Sequence, residues 1–208
     1  MESEKLIITI GRQVGSGGRL IGKLIAEQLG IAFYDREILQ RAARESGIKD
    51  EFFERTDERN SLLSRIANYL SFDPMSPHSN CLSAESLFKF QSDAIVKAAT
   101  EGGGVFVGRC SDYILRSMHP RTDVFITAES DDRVKRACEY YNIDDPDTAR
   151  RKIEDVEKAR AEYYNYFTDK TWGNAASYHL CVCSSGLTLE QSAEYIINFV
   201  KKRALTGR

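Results

Sequence analysis

A doubly wound α/β domain on a five-stranded parallel sheet is the fold class that this sequence predicts. Short β-rich runs alternate with longer helical patterns, the arrangement of a parallel sheet with crossover helices. A glycine-rich turn, Gly15-Ser16-Gly17-Gly18, separates the first such run from the first amphipathic pattern. The 208 residues suit one domain with a full core.

In chain order, residues 6–10 (Leu-Ile-Ile-Thr-Ile) form an apolar run expected as a buried first strand. After the glycine turn, Leu20, Ile21, Leu24, Ile25 and Leu29 mark the apolar face of a helix that Gly30 ends as a C-cap. Residues 31–34 read as a second strand, and Asp35 as the N-cap of a following helix. Residues 50–70 look helical, and residues 71–83 hold Pro74 and Pro77 among polar residues, so they read as a loop. A long helix is expected over about 84–100, and strands over 105–107, 123–127 and 178–183. Residues 130–167 read as almost wholly helical and densely charged, and a closing helix is expected over 189–201. There is no internal repeat and no low-complexity tract.

Composition narrows the function. Hydrophobic residues make up 42% and charged residues 29%, as in an ordinary globular domain. A net charge of -2 provides no global basic field for nucleic acid or a membrane, so anion binding has to be local. The first apolar run is too short for a signal segment or a membrane span. The five scattered cysteines contain no CxxC pair, which argues against zinc and disulfide frameworks and suits a reducing cytoplasm. Cys181 and Cys183 share one strand face and read as core rather than metal ligands.

The glycine turn is the strongest chemical signal. Glycine lets backbone amides converge on a phosphate, and the helix N-terminus that follows adds unpaired N–H groups and a favourable dipole. Gly15, Ser16, Gly17, Gly18, Arg19 and Leu20 are the candidate phosphate-binding residues. The standard phosphate loop is GxxxxGK[ST]. With Gly17 as its last glycine, Gly18 takes the lysine position, Arg19 the Ser/Thr position and Arg12 the first glycine position. The bridging lysine and the hydroxyl ligand for magnesium are therefore both missing. Arg12 or Arg19 can supply the missing charge. The bland alternative is a tight turn without a ligand.

Several blocks together resemble the cytidylate-kinase-like family, divergent P-loop relatives of the nucleoside-monophosphate kinases. The blocks are Ile8-Thr-Ile-Gly-Arg-Gln-Val-Gly-Ser-Gly-Gly-Arg-Leu-Ile-Gly22, Phe33-Tyr-Asp-Arg-Glu-Ile-Leu39, Val107-Gly-Arg-Cys-Ser-Asp-Tyr-Ile-Leu115, Asp155-Val-Glu-Lys-Ala-Arg-Ala-Glu-Tyr-Tyr164 and Trp172-Gly173. The resemblance implies a P-loop NTPase fold, a helical acceptor-binding insert over about 36–100 and an arginine-bearing lid over about 130–170. It also implies ATP with Mg2+ and a nucleoside monophosphate, CMP or dCMP, as acceptor.

On this reading the acceptor site takes Asp35, Arg36, Gly108, Arg109 and Asp112, all near strand ends that form the ligand crevice of an open α/β sheet. By the resemblance, Arg109 contacts the acceptor phosphate. Asp35 is equally suited to plain helix capping, and Asp112 to a solvent-facing position. Among the lid candidates Arg150, Arg151, Lys158 and Arg160, one unbroken helix cannot aim all four at one phosphate. Arg160 matches the family block and, with Arg12 and Arg19, completes the catalytic set. Tyr163, Tyr164, Tyr166, Phe167 and Trp172 read as an aromatic seam between lid and core. The competing function is a nucleotide-binding regulatory module with little turnover, which the missing lysine favours.

Overall fold

The computed structural model describes residues 5–35 and 84–205. The helix expected over 50–70, the loop over 71–83, Arg36 and most of the expected insert lie outside the described residues. Five strands form one parallel sheet: β1 Ile7–Arg12, β2 Phe33–Tyr34, β3 Gly104–Val107, β4 Arg121–Thr127 and β5 Leu180–Cys183, in the order β2-β3-β1-β4-β5. The helices are α1 Gly18–Leu29, α2 Ala84–Glu101, α3 Ser111–Ile114, α4 Ser130–Tyr141, α5 Pro146–Thr168 and α6 Leu189–Leu205. The fold is α/β, as the sequence predicts.

Alternation along the strands decides which helices lie on each face. Ile8, Ile10, Val105, Val107, Val124, Ile126 and Val182 meet Ile21 and Ile25 of α1 and Ala193, Ile196 and Ile197 of α6 in one core. Ile7 and Phe106 point the other way, onto Ile95 and Ala99 of α2 and Leu115. A third cluster joins Val14 in the glycine turn to Val134 and Ala137 of α4 and Ala149 and Ile153 of α5. The aromatic residues around α5 seat it on the rest of the molecule: Phe167 stacks on Phe88 of α2 at 4.1 Å, and Trp172 meets Phe125 of β4 edge-on at 5.5 Å. α4 stops at Asn142 and α5 begins after Asp145, whose side chain caps it.

One expectation is corrected. Cys181 and Cys183 do share a face, but that face is exposed. β5 is an edge strand, and it is Val182, on its other face, that meets the core against α6. No described helix is long and apolar enough to cross a membrane.

Candidate active site

The glycine turn is gripped from outside by two helices and the end of β5. Gly15 has φ +76°, and a Cβ there would lie 2.7 Å from the Arg133 Cα, so the turn packs directly on the backbone of α4. Arg133 Nε donates to the Val14 carbonyl at 2.9 Å, and Arg136 Nη1 to the Gly15 carbonyl at 3.2 Å. The Ser184 hydroxyl donates to the Ser16 carbonyl at 2.8 Å. The Val14 amide donates to Glu157 Oε1 at 2.9 Å, and Glu157 pairs with Arg133 at 2.6 Å. Three successive carbonyls of the turn are thus engaged on its outer side. Gly17, with a left-handed backbone, caps α1 without any side-chain hydrogen bond. The first-turn amides of α1 have no intrahelical acceptors, which leaves a positive pole for an anion.

The turn after β3 is unusual. Gly108, Arg109 and Cys110 all have positive φ, at 75°, 60° and 56°. For the two non-glycine residues this conformation costs about 1 kcal/mol or more each. Such strain persists only where surrounding structure imposes it. Its result is a buried Arg109, with Cζ 5.9 Å from the centre of the Tyr163 ring.

Arg12, Arg109 and Arg160 line one cavity of about 30 Å³ with Gly11, Asp112 and Tyr164. Arg160 Nη1 donates to the Arg12 carbonyl at 3.0 Å, and its Nε is buried with no hydrogen-bond partner among the described residues. Because α5 is unbroken, the other lid candidates fall elsewhere. Arg150 reaches Ser130 and Asp131, Arg151 reaches Thr148, and Lys158 is exposed. Asp112 is buried and accepts from the Tyr164 hydroxyl at 2.6 Å. Burial raises its pKa, the Tyr164 hydrogen bond opposes that, and the charge of Asp123 adds to it. Burial and Asp112 together raise the Tyr164 and Tyr178 hydroxyls above the ordinary phenol value, so both stay protonated.

The two arginines that the sequence left as alternatives part company. Arg12 enters the cavity. Arg19 instead crosses to the buried Asp35 at the end of β2, donating from Nε at 2.7 Å with Nη2 at 2.6 Å. The Ser16 hydroxyl is turned to the Gln13 carbonyl at 2.9 Å and its amide donates to the same carbonyl at 3.4 Å, while the Leu20 side chain faces solvent and leaves only its amide to offer. Sequence reasoning did not single out Arg133, Glu157 or Tyr178. Glu157 was within reach, since it stands one helical turn before Arg160 in a block already noted. Arg133 had no signal, because it reads as one more charge on a charged helix.

The model of the cytidylate kinase-like family matches residues 7–186, which include the glycine turn, the Gly108–Cys110 turn and Arg160. The chain belongs to the cytidylate kinase-like family. No curated protein sequence matches this cytidylate kinase-like chain. Among solved structures, an uncharacterized protein from Eubacterium ventriosum superposes with a TM-score of 0.72 at 24% identity, over 94% of this chain and 98% of that one. Shikimate kinase from Acinetobacter baumannii, solved with shikimate, superposes at TM-score 0.51 and 14% identity, over 98% and 97%. TT1252 from Thermus thermophilus superposes at 0.51 and 15%, over 95% and 98%. The fold is that of the P-loop kinases, and membership of a kinase-like family supports a phosphotransferase.

Proposed function

We propose that this chain is an ATP-dependent phosphotransferase that acts on a nucleoside monophosphate, with CMP or dCMP as the first acceptors to try, in the reducing cytoplasm that its free thiols suit. The observation that carries this reading is the convergence of Arg12, Arg109 and Arg160 in one cavity beside the glycine turn. Phosphoryl transfer asks a protein for positioning and charge stabilisation rather than a nucleophile of its own, and three guanidiniums beside an uncapped helix N-terminus supply both.

On this reading the amides of residues 15–20 hold the donor phosphates, with their outer carbonyls anchored to α4 and β5. Arg109 and Arg160 hold the acceptor phosphate, and Asp112 with Tyr164 faces the rest of the acceptor. Among the described residues no three of His, Cys, Asp and Glu cluster as metal ligands would. Arg19 in place of a hydroxyl removes the usual side-chain ligand at this turn, so magnesium would be held largely by the phosphate oxygens of ATP and water, with room for an acidic residue of the chain. A cavity of about 30 Å³ has room for a water molecule or two, not a nucleotide. Binding therefore starts with α5 moving outward, and closure returns Arg160 to the site.

The regulatory-module reading keeps two observations in its favour: Gly18 stands where the loop lysine is expected, and Glu157 already holds the Val14 amide. One experiment separates the two. ADP formation from Mg-ATP is measured against CMP, dCMP, UMP, AMP, GMP and small non-nucleotide acceptors, with Arg109→Ala alongside. Turnover that requires one acceptor and collapses in the variant supports the kinase. Nucleotide binding by calorimetry without turnover supports the module.

A further inference from the structure

Residues 12 and 18 compete for one volume. A Cβ built on Gly18 would lie 2.6 Å from the Arg12 Cβ and 3.1 Å from its Cγ. Real Cβ atoms do not approach that closely, and Arg12 cannot swing its own Cβ aside because that atom is fixed to the backbone. A side chain can stand at position 12 or at position 18, not at both. Farther along, the Arg12 guanidinium lies over Gly108, where an added Cβ would sit 2.9 Å from Cζ and 3.2 Å from Nη2. Arg12 thus runs with Gly18 beneath its stem and Gly108 beneath its head.

The standard phosphate loop has glycine at its first position and lysine at its seventh. Here the first position is Arg12 and the seventh is Gly18. The steric relation works in both directions: a lysine at the seventh position needs glycine at the first, and an arginine at the first needs glycine at the seventh. The other candidate cation, Arg19, is held at Asp35.

We propose that Arg12 and Gly18 form a compensated exchange, in which the cation of the phosphate turn has moved from the seventh position to the first. Arg12 is then the group that neutralises the phosphoryl in transit. The inference rests on the phosphotransferase reading and deepens it by naming that cation. In the transfer, the bond from the γ-phosphorus to the oxygen of the departing ADP breaks. A bond forms from that phosphorus to an acceptor phosphate oxygen. Arg12 gives up no proton, since a guanidinium stays charged throughout. Its head lies against Gly108, beside Arg109, so it enters between donor and acceptor rather than from the helix.

Four variants test the exchange: Gly18→Lys, Arg12→Ala, Arg12→Ala with Gly18→Lys, and Arg12→Gly with Gly18→Lys. Thermal melting and calorimetric binding of inorganic tripolyphosphate are the readouts, and neither requires turnover. Gly18→Lys is expected to melt lower and lose tripolyphosphate. Arg12→Ala is expected to melt as the parent does and bind at least about tenfold more weakly, the usual worth of a charge-assisted hydrogen bond. The alanine–lysine pair stays unstable, because alanine still carries a Cβ at the first position. The glycine–lysine pair, which restores the first glycine and the lysine of the standard motif with Arg19 still in its Ser/Thr place, regains both melting temperature and binding. The exchange is overturned if the parent does not bind tripolyphosphate, or if Arg12→Ala binds it unchanged. It is also overturned if the glycine–lysine pair melts no higher than Gly18→Lys. Acceptor-dependent ADP formation by the parent is scored separately. Its absence alongside the expected pattern removes the phosphotransferase reading and leaves the exchange as an anion-binding device. Its presence with an unaffected Arg12→Ala removes the exchange alone.

Discussion

Asp123, near the start of β4, and Asp112, just beyond β3, are both buried, yet their surroundings differ in kind. Asp123 Oδ1 accepts from the Thr9 hydroxyl at 2.7 Å and from Arg121 Nε at 2.8 Å, and its Oδ2 accepts from Arg121 Nη2 at 3.0 Å. Its own amide donates to His179 Nδ1 at 2.9 Å. Asp112 receives the Tyr164 hydroxyl, and among the described residues no basic side chain ion-pairs with it. Where the chain supplies a full countercharge, a buried carboxylate joins strands. Where no such pair forms among the described residues, as at Asp112, the buried carboxyl lies in a cavity also lined by Arg12, Arg109 and Arg160. A charge is expensive to bury in either place, so the imbalance at Asp112 argues for use.

The largest effect expected from this contrast is at Asp123. Asp123→Ala strands the Arg121 guanidinium and is expected to cost about 3–5 kcal/mol in urea unfolding. The folded fraction should keep its tripolyphosphate affinity, and a fall in that affinity would break the division between joint and site. Next comes Arg109→Ala, expected to lower kcat/KM for the acceptor by about 100-fold, as loss of one preorganised donor does. Its melting temperature should stay near that of the parent, and a collapse in stability would make Arg109 a second joint.

A smaller effect sharpens the comparison through its sign. Folding raises the pKa of Asp112, so its ionised form opposes folding above that value, and the opposition disappears as pH falls through it. Asp112→Asn keeps an acceptor for Tyr164 and removes the charge. It is therefore expected to match the parent or exceed it by about 1 kcal/mol or less at pH 7 while losing activity. Asp123→Asn should lose stability under the same conditions. If both fall alike in parallel melts, the two carboxylates are not different in kind.

The smallest effect concerns His179. Burial pulls its pKa below the ordinary 6.5 despite the opposing charge of Asp123, while Arg203, Arg121 and His119 push the same way as burial. The neutral ring, accepting at Nδ1, is the folded form. Its contribution is whole above the ordinary value and is lost as pH drops towards the lower folded value. Unfolding midpoints should decline through that window in the parent and more shallowly in His179→Asn. Identical slopes would discard the assignment.

Much of the frame was legible in the sequence. The runs at 6–10, 105–107 and 123–127 lie within or against β1, β3 and β4, and Gly30 does cap α1 in a left-handed conformation. Periodicity reports burial on one face of an element, so it locates helices and strands well. It failed at Cys181 and Cys183, because alternation says that two residues share a face and not which face a neighbour covers. At the site, Gly108-Arg109 and Arg160 were noted from motif blocks. Arg133 was not, since its Nε meets a carbonyl 119 residues away in sequence.

The order of residues alone determined the alternation of strands and helices, the glycine turn between the first two of them, and the absence of a lysine at its expected position. These are local facts, set by side-chain period, backbone permissiveness and spacing. Only the tertiary structure decided that Arg12 enters the cavity while Arg19 goes to Asp35, that Arg160 alone among the lid candidates reaches the site, and that a Cβ at Gly18 would meet the Arg12 Cβ at 2.6 Å. Those outcomes depend on atoms brought within about 3 Å by packing β1, β3 and α5 together, and excluded volume at that range is invisible until the chain has folded.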